Sequence, residues 1–243
     1  MIYGVCAGID EAETILAAGF EYLEMGLSQT AGDPSFDLAR LRDIPIRAMN
    51  LFFPGSVRLY GREENDWRGY AERAIVRAAE IGVPVLVVGS GGSRRAPDAT
   101  GDWEAAFVRV AATLQAIAKP YGITIAPESL TRAETNVGND LRAYALALRE
   151  AGVGYTADSF HILQEQPDLA KIPDEMPFLP THVHLGSKGD RAVPTKDEPG
   201  FAAFAARLRE LGYDGTASLE CKRGKSVAEL RDDLAQTRAA LAE

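Results

Sequence analysis

Eight short runs of β-favouring residues alternate with amphipathic segments along the chain, and this alternation limits the possible folds more than any other feature. The predicted strands are Ile2–Cys6, Tyr22–Gly26, Ile46–Phe52, Pro84–Val88, Ile123–Ala126, Gly154–Ala157, His182–Leu185 and Thr216–Glu220. The clearest predicted helices are Asp66–Ile81, Trp103–Lys119, Asp140–Ala151, Phe201–Leu211 and Val227–Leu241. Apolar residues recur in these helices at three- and four-residue steps. Strands alternating with helices indicate βαβ units, and eight units favour a closed (β/α)8 barrel over a doubly wound sheet.

Glycines mark the junctions where a predicted helix gives way to the next strand. Gly122, Gly152 and Gly212 each stand at such a junction, where a left-handed backbone conformation ends a helix. The 243 residues leave about 30 per unit, which a lean barrel of roughly 250 residues requires. We therefore expect one barrel domain spanning 1–243. The weakest unit is Leu27–Pro45, where the second helix is predicted to be short or irregular.

Charge and composition exclude several classes of function. The chain has 26 Lys and Arg against 35 Asp and Glu, a net charge of −9, which disfavours binding to nucleic acid or to an anionic membrane surface. The first residues show no secretory signal, and no apolar run reaches the roughly 18 residues of a membrane span. Cys6 and Cys221 form no CxxC pair, as is typical of a reducing compartment. We expect a cytoplasmic protein.

Two stretches rich in glycine and charge, Gly89–Gly101 and Gly186–Gly200, follow predicted strands and precede predicted helices. We interpret both as long loops of the kind that carry function in barrel enzymes. The GSGG of the first loop lacks the Gly-Lys-Ser/Thr ending of a Walker phosphate loop. Arg94 and Arg95 follow it and could contact an anion, but we prefer to interpret both as solvated loop arginines.

Four metal-competent side chains stand at the carboxyl ends of the last four predicted strands. They are Glu128, Asp158, His184 and Glu220. Neighbouring barrel strands point their last inward residues at one another, so we expect these side chains to share one site. Three carboxylates and one imidazole suit Mn²⁺ or Mg²⁺, with Co²⁺ or Zn²⁺ as alternatives. Any one of the four could be structural, but burying three carboxylates together without a cation is costly.

The chain has three histidines, and all of them lie between positions 161 and 184. His161 follows Asp158 by three residues, so it could contact a substrate or the metal, or lie in solvent at the start of a helix. His182 shares a strand face with His184, because side chains two residues apart point the same way. We expect His182 to be buried behind the site rather than to bind the metal.

The ordered set Glu128…Asp158-x-x-His161…His184…Glu220 resembles the xylose isomerase-like superfamily, and within it the single-metal ketose 3-epimerases and hydroxypyruvate isomerases. ESLTRAE, which begins at Glu128, is similar to that group's Glu-Pro-Leu-Asn-Arg-x-Glu segment. DSFH resembles its Asp-Thr-x-His, and HVHLGSKGDRAVP resembles its His-x-His-x-Gly…Arg-x-x-Pro loop. The resemblance covers essentially the whole chain.

This resemblance implies a TIM barrel with one divalent metal ion, a small-molecule sugar substrate and a homodimeric or homotetrameric assembly. The implied metal ligands are Glu128, Asp158, His184 and Glu220. The implied substrate contacts are Glu134, His161 and Arg191.

The predicted reaction is isomerisation or epimerisation of a sugar or small hydroxy-carbonyl compound, by proton abstraction next to a carbonyl through a metal-stabilised enediolate. Glu128 and Glu220 are the predicted acid/base pair, one taking the proton and the other returning it. An inosose dehydratase-like lyase on the same metal site and a non-catalytic sugar-binding barrel are the alternatives. The superfamily's apurinic-site endonucleases use three metals and many histidines, which three histidines and a net charge of −9 argue against.

Overall fold

A computed structural model describes residues 1–61 and 66–242 of the protein. The described residues form eight strands: β1 (Ile2–Cys6), β2 (Tyr22–Gly26), β3 (Ile46–Asn50), β4 (Val85–Val88), β5 (Thr124–Pro127), β6 (Thr156–Asp158), β7 (His182–Leu185) and β8 (Thr216–Leu219). They build one parallel sheet in the order β5-β4-β3-β2-β1-β8-β7-β6. An isolated parallel bridge between Glu128 and Thr156 joins the two end strands. The sheet therefore curls into a nearly closed barrel, and the predicted (β/α)8 fold is confirmed.

The helices of the described residues are α1 (Ala12–Ala17), α2 (Trp67–Glu80), α3 (Trp103–Ala118), α4 (Leu141–Glu150), α5 (Ser159–Glu165), α6 (Pro199–Glu210) and α7 (Val227–Ala242). The five helices predicted from periodicity are confirmed to within two residues at each end. The short α1 and α5 belong to other units of the predicted alternation, for which no helix bounds were predicted. Between β2 and β3 the chain forms the 3-10 turns Leu27–Gln29 and Leu38–Leu41, as expected for the irregular second unit.

Local sequence sets where the helices begin and end. Asp66, Asp102 and Asp140 precede α2, α3 and α4, and each side chain accepts a hydrogen bond from a backbone N–H of the first helical turn. Glycines with positive φ lie at the far ends, where other residues would be strained. They are Gly82, Gly122, Gly152 and Gly212. These caps return the chain promptly to each following strand.

Strand register brings the carboxyl ends of neighbouring strands to the same height. Asp158 on β6 is paired with His184 on β7, and His184 is paired with Ser218 on β8. The apolar strand residues between them, such as Val183 and Leu185, are fully buried. Polar residues at the strand ends are therefore held on a rigid frame at one edge of the barrel.

The long connections lie at this same edge. Gly89–Gly101 and Gly186–Gly200 were predicted to be loops, and both stretches lie mainly between a strand and the following helix, the latter ending within the first turn of α6. Opposite them, turns such as Gly82–Pro84 need only a few residues to connect a helix to the next strand. No helix within the described ranges is both long and apolar enough to cross a membrane.

Candidate metal centre and active site

The structure brings together the four side chains that the sequence places at successive strand ends. Ligand atoms of Glu128, Asp158, His184 and Glu220 all lie within 4.8 Å of one another. His184 Nδ1 is 3.1 Å from Glu128 Oε1 and 3.1 Å from Glu220 Oε2. Asp158, Glu128 and His184 are buried, and Glu220 is about a quarter exposed at 25%. The four side chains are therefore shielded from solvent on the side of the barrel interior, and the site is exposed to solvent beside Glu220.

Backbone contacts with neighbouring strands fix the two glutamates at the barrel rim. The Glu128 N–H, directly after β5, donates to the Val88 carbonyl of β4 at 3.2 Å. The Glu220 N–H, directly after β8, donates to the Leu185 carbonyl of β7 at 3.1 Å. Each glutamate is therefore the first residue of its loop, and its backbone N–H is still hydrogen-bonded to the sheet.

Asp158 has a double task at the end of β6. Its Oδ1 accepts a hydrogen bond from the Phe160 N–H at 2.7 Å and caps α5. Its Oδ2 turns to the cluster and lies 3.4 Å from His161 Nε2. The Asp158 carboxylate therefore caps α5 with one oxygen and contacts His161 in the site with the other.

Glu24, a residue that we did not predict, lies beneath the cluster on β2. It is fully buried, and it accepts hydrogen bonds from His184 Nε2 to Oε1 and from His182 Nε2 to Oε2, both at 2.8 Å. Because Glu24 takes the Nε2 side of His184, the Nδ1 atom faces the carboxylates of the cluster. His182 is buried behind the site, as expected. An acidic residue inside the otherwise apolar predicted strand was the sequence signal that could have revealed Glu24.

His161 lies inside the site rather than in solvent. It is 2% exposed, and its Nε2 is 3.4 Å from Asp158 Oδ2 and 3.7 Å from Glu128 Oε1. Its Nδ1 is 3.5 Å from Glu134 Oε2 and has no hydrogen-bond partner within the described residues. A buried ring nitrogen without a partner is suited to contact a bound molecule.

Arg191 reaches the cluster from the loop after β7. Its Nη2 lies 2.5 Å from Glu220 Oε2 and 3.1 Å from Asp158 Oδ2, and its guanidinium packs over the Phe160 ring at 4.5 Å. The residue has φ of +57°, and its carbonyl accepts a hydrogen bond from Lys222 N–H at 2.7 Å. The left-handed turn therefore directs the side chain back over the barrel mouth.

The pKa values of the clustered side chains are shifted from their ordinary values by burial and by neighbouring charges. Burial raises the pKa of Glu128 to about 7. Burial also opposes ionisation of Asp158, but His161 and Arg191 outweigh it and hold the pKa of this carboxyl below its ordinary value. Burial favours neutral His184, yet the Glu24, Glu220 and Glu128 carboxylates raise the pKa of the imidazole well above its usual value. Positive charge is strongly favoured at this point of the barrel.

The donor set fits a hard divalent cation. Three carboxylates and one imidazole are within reach of a single point, and all but Glu220 are buried. A cation bound there would relieve the mutual repulsion of the acidic groups. The cluster could therefore hold a metal ion.

A cavity of about 360 Å³ opens above the cluster. The predicted catalytic and substrate-contacting residues that line it are Glu128, Glu134, His161, Arg191 and Glu220. The rest of the wall consists of Asn50, Leu51, Leu130 and the loop 89–92. The structure thus brings all five residues to one cavity, which is large enough for a small molecule.

The loop 89–92 fits closely against two of these glutamates. A Cβ atom at Gly89 would lie 2.8 Å from Glu128 Oε2, and one at Gly91 would lie 3.0 Å from the Glu134 carbonyl oxygen. The GSGG sequence is therefore a close-packing segment of the cavity wall.

The interpretation of Arg94 as a solvated loop arginine is wrong. Arg94 is fully buried, although it lies in a loop, four residues after Ser90, which has φ of +44°. Its Nη1 donates to the Glu128 carbonyl at 2.7 Å. The exposed neighbour, Arg95, donates to the Glu134 carbonyl at 2.8 Å, so the solvated interpretation holds for Arg95 alone.

A model of the xylose isomerase-like TIM barrel family matches residues 13–242. The chain belongs to this family. The predicted resemblance to this superfamily is therefore confirmed, and the strand-end cluster lies at the edge of a xylose isomerase-like barrel.

Individual relatives agree with this family. The 2-oxo-tetronate isomerase of Haemophilus influenzae is 26% identical, over 95% of this chain and 94% of that protein. The structure of D-psicose 3-epimerase in the presence of D-fructose matches with a TM-score of 0.84 at 17% identity, over 100% of both chains. The 3-keto-D-glucoside 4-epimerase of E. coli matches with a TM-score of 0.77 at 21% identity, over 98% of this chain and 99% of that one. The two structural matches show a shared fold.

Proposed function

We propose that this protein is a divalent-metal-dependent isomerase or epimerase of a sugar or small hydroxy-carbonyl compound. The observation that supports this most is the single cavity in which Glu128 and Glu220 flank a buried group of metal-competent side chains. The curated relative and both structural matches are isomerases or epimerases by name. Residues 1–243 as one domain, the cytoplasmic location and a homodimeric or homotetrameric assembly remain predictions.

The proposed metal ligands are Glu128, Asp158, His184 and Glu220. Their three carboxylates favour Mn²⁺ or Mg²⁺ over Co²⁺ or Zn²⁺. When bound, the divalent cation would polarise the substrate carbonyl and offset negative charge on its oxygens.

Glu128 and Glu220 are the proposed acid/base pair. One carboxylate takes the proton from the carbon next to the carbonyl, and the other returns a proton to the same or the adjacent carbon. Each has a carboxylate oxygen 3.1 Å from His184 Nδ1, and they reach it from different strand ends, Glu128 after β5 and Glu220 after β8. Two carboxylates on different sides suit epimerisation, in which removal and return occur on opposite faces.

His161, Arg191 and Glu134 are the proposed substrate contacts. The unpartnered His161 Nδ1 can bond a substrate oxygen, and the Arg191 guanidinium carries a charge to the cavity wall at 26% exposure. Glu134 is 40% exposed, and its carboxylate lies at the mouth, where it can accept a bond from a substrate hydroxyl. Together they orient the carbon that loses its proton.

The first test of this function replaces each proposed acid/base residue by its amide. Glu128→Gln and Glu220→Gln are each expected to abolish turnover with Mn²⁺ present, while circular dichroism shows an unchanged fold. Glu80→Gln, an exposed residue at the end of α2, is the matched control and should keep wild-type activity. Retained activity in both active-site variants would contradict the assignment.

The substrate panel should contain ketoses, 2-oxo sugar acids and inososes. Exchange of the carbon-bound proton and loss of water are measured separately, since an inosose dehydratase-like lyase begins with the same proton abstraction. Isomer or epimer formation without dehydration supports the proposal. Dehydration as the main reaction would assign the site to a lyase, and no turnover despite bound metal would indicate a non-catalytic sugar-binding barrel.

A further inference from the structure

Arg94 is a fully buried arginine that the roles above leave unexplained. Its guanidinium carbon lies 4.9 Å from the ring centre of Phe107 on α3 and 5.9 Å from that of Tyr144 on α4. Within the described ranges, Nε and Nη2 have no hydrogen-bond partner. The side chain therefore carries a charge into the interior with few polar contacts.

Packing alone does not account for an arginine at this place. Burying a charge without a counter-ion destabilises a protein, and an apolar side chain of similar volume is often neutral or stabilising in its place. Contact between the cation and two aromatic rings offsets only part of that cost. The polar contact that Arg94 does make is therefore the feature that distinguishes it from an apolar residue.

That contact is to the backbone of Glu128. Arg94 Nη1 donates to the Glu128 carbonyl at 2.7 Å, while the Glu128 N–H donates to Val88 at 3.2 Å. Both backbone polar groups of Glu128 are thus held by β4 and the loop that follows it. The direction in which the Glu128 carboxylate leaves the barrel rim depends on these two bonds.

The loop that carries Arg94 is itself anchored. The Arg94 N–H donates to the Ser90 carbonyl at 3.3 Å, and the Tyr60 hydroxyl donates to the Arg94 carbonyl. The Ser90 hydroxyl in turn accepts a bond from the Phe53 N–H at 2.9 Å. Arg94 thereby connects Glu128 to a loop that is fixed at two points, Phe53 and Tyr60, on the connection that follows β3.

We propose that Arg94 is a positioning residue, which holds Glu128 in the orientation needed for proton transfer. This inference rests on the proposed role of Glu128. Arg94 lies outside the cavity lining, so it acts through Glu128 and does not touch the substrate.

The test replaces Arg94 by an apolar residue of similar length. Arg94→Met is expected to lower kcat about 10- to 100-fold with little change in KM, as loss of a supporting contact does in other metal sites. Its free energy of unfolding is expected to equal or exceed that of the wild type, because a buried charge is removed. Arg109→Met removes an exposed arginine on α3 in the same way and should leave kcat unchanged.

Hydrogen–deuterium exchange of the metal-free proteins provides a readout that needs no substrate. In Arg94→Met, the peptide covering residues 128–135 is expected to exchange faster than in the wild type, while α7 exchanges at the wild-type rate. If the wild type turns over no member of the panel, the proposed function fails. The exchange comparison then still decides the role of Arg94.

Wild-type kcat together with wild-type exchange at 128–135 in Arg94→Met would overturn the proposal. So would faster exchange throughout the chain with a matching loss of stability, since Arg94 would then be a general structural residue. If Arg94→Met does not fold, Arg94→Leu, which likewise removes the guanidinium donor, is measured in the same way. An unchanged kcat and unchanged exchange in that variant overturn the proposal equally.

Discussion

Glu24 shows what a single buried acid can do for its neighbours. Its two carboxylate oxygens each accept a bond from one histidine, His182 or His184, at 2.8 Å. Burial opposes its ionisation, but the adjacent His184 and His182 hold the pKa of this carboxyl well below its usual range. An ionised Glu24 therefore fixes which ring nitrogen His184 turns toward the proposed metal ligands.

Replacing Glu24 by glutamine tests this arrangement. Glu24→Gln is expected to weaken Mn²⁺ binding about 10- to 100-fold, because an amide offers one acceptor where the carboxylate bonds two histidines. Titration calorimetry of metal-free protein measures the affinity. Glu21→Gln, which changes an exposed glutamate three residues away, is the control and should bind Mn²⁺ like the wild type. Equal affinity in Glu24→Gln would show that His184 does not depend on Glu24.

At the scale of elements, the glycines of the loop after β4 form one wall of the cavity, and their lack of side chains leaves room for neighbouring groups. Gly89 leaves room for the Glu128 carboxylate, and Gly91 leaves room for the Glu134 backbone. Gly55 lies outside the cavity lining, and a Cβ atom there would meet no other atom within 4 Å. The chain thus contains a matched pair of glycines, one in close contact with a proposed catalytic group and one free of contact.

Substituting alanine at these two glycines should have unequal effects. In Gly89→Ala the new methyl group displaces the flexible Glu128 carboxylate, so kcat is expected to fall about tenfold or more, the cost of misplacing a reacting group. Gly55→Ala should keep wild-type kcat. Both variants should unfold at the wild-type temperature, because a displaced side-chain end relieves the clash. Steady-state kinetics and thermal unfolding check these outcomes, and equal kcat values in the two variants would contradict the account.

The elements also show how far sequence reasoning reaches. Strand ends agree closely with the predictions because glycine junctions and apolar periodicity are local signals. Asp158, His184 and the two rim glutamates could be grouped in advance, since parallel strands bring their carboxyl ends to one edge.

The contacts of Glu24 and the burial of Arg94 were not predicted from the sequence, for two different physical reasons. The contacts of Glu24 with two histidines join β2 to β7, which are distant in sequence and become close only when the barrel curls. Arg94 is buried in a loop that contains a left-handed residue, Ser90, and no local sequence pattern indicated either feature. Long-range closure and an unusual turn are both properties of the folded state.

At the scale of the whole molecule, barrel closure and the proposed metal site coincide. The bridge that joins the end strands runs from Glu128 to Thr156, beside the proposed ligands. Two of the three carboxylates, Glu128 and Asp158, therefore lie at the ends of the strands where the sheet meets itself, and Glu220 lies within 4.8 Å of them. A cation bound to them would stabilise the closed barrel as well as the site.

Metal binding should consequently raise the unfolding temperature. At a Mn²⁺ concentration about 100 times the dissociation constant, the expected stabilisation is about 2.7 kcal/mol. This corresponds to a shift of roughly 5–10 °C for a chain of this size. Calorimetry with and without a chelator measures the shift, which should shrink in Glu128→Gln and persist in Glu80→Gln. No shift in the wild type would contradict a metal site at this edge.

The central claim is that Glu128 and Glu220 move a proton at a carbon next to a carbonyl. The most direct test incubates the Mn²⁺-loaded wild-type protein with the substrate panel in D2O and follows carbon-bound deuterium by NMR. The account predicts deuterium at the carbon next to the carbonyl of at least one panel member, and none with Glu128→Gln or Glu220→Gln. Product formed without deuterium at that carbon, or incorporation that survives in both variants, would contradict it.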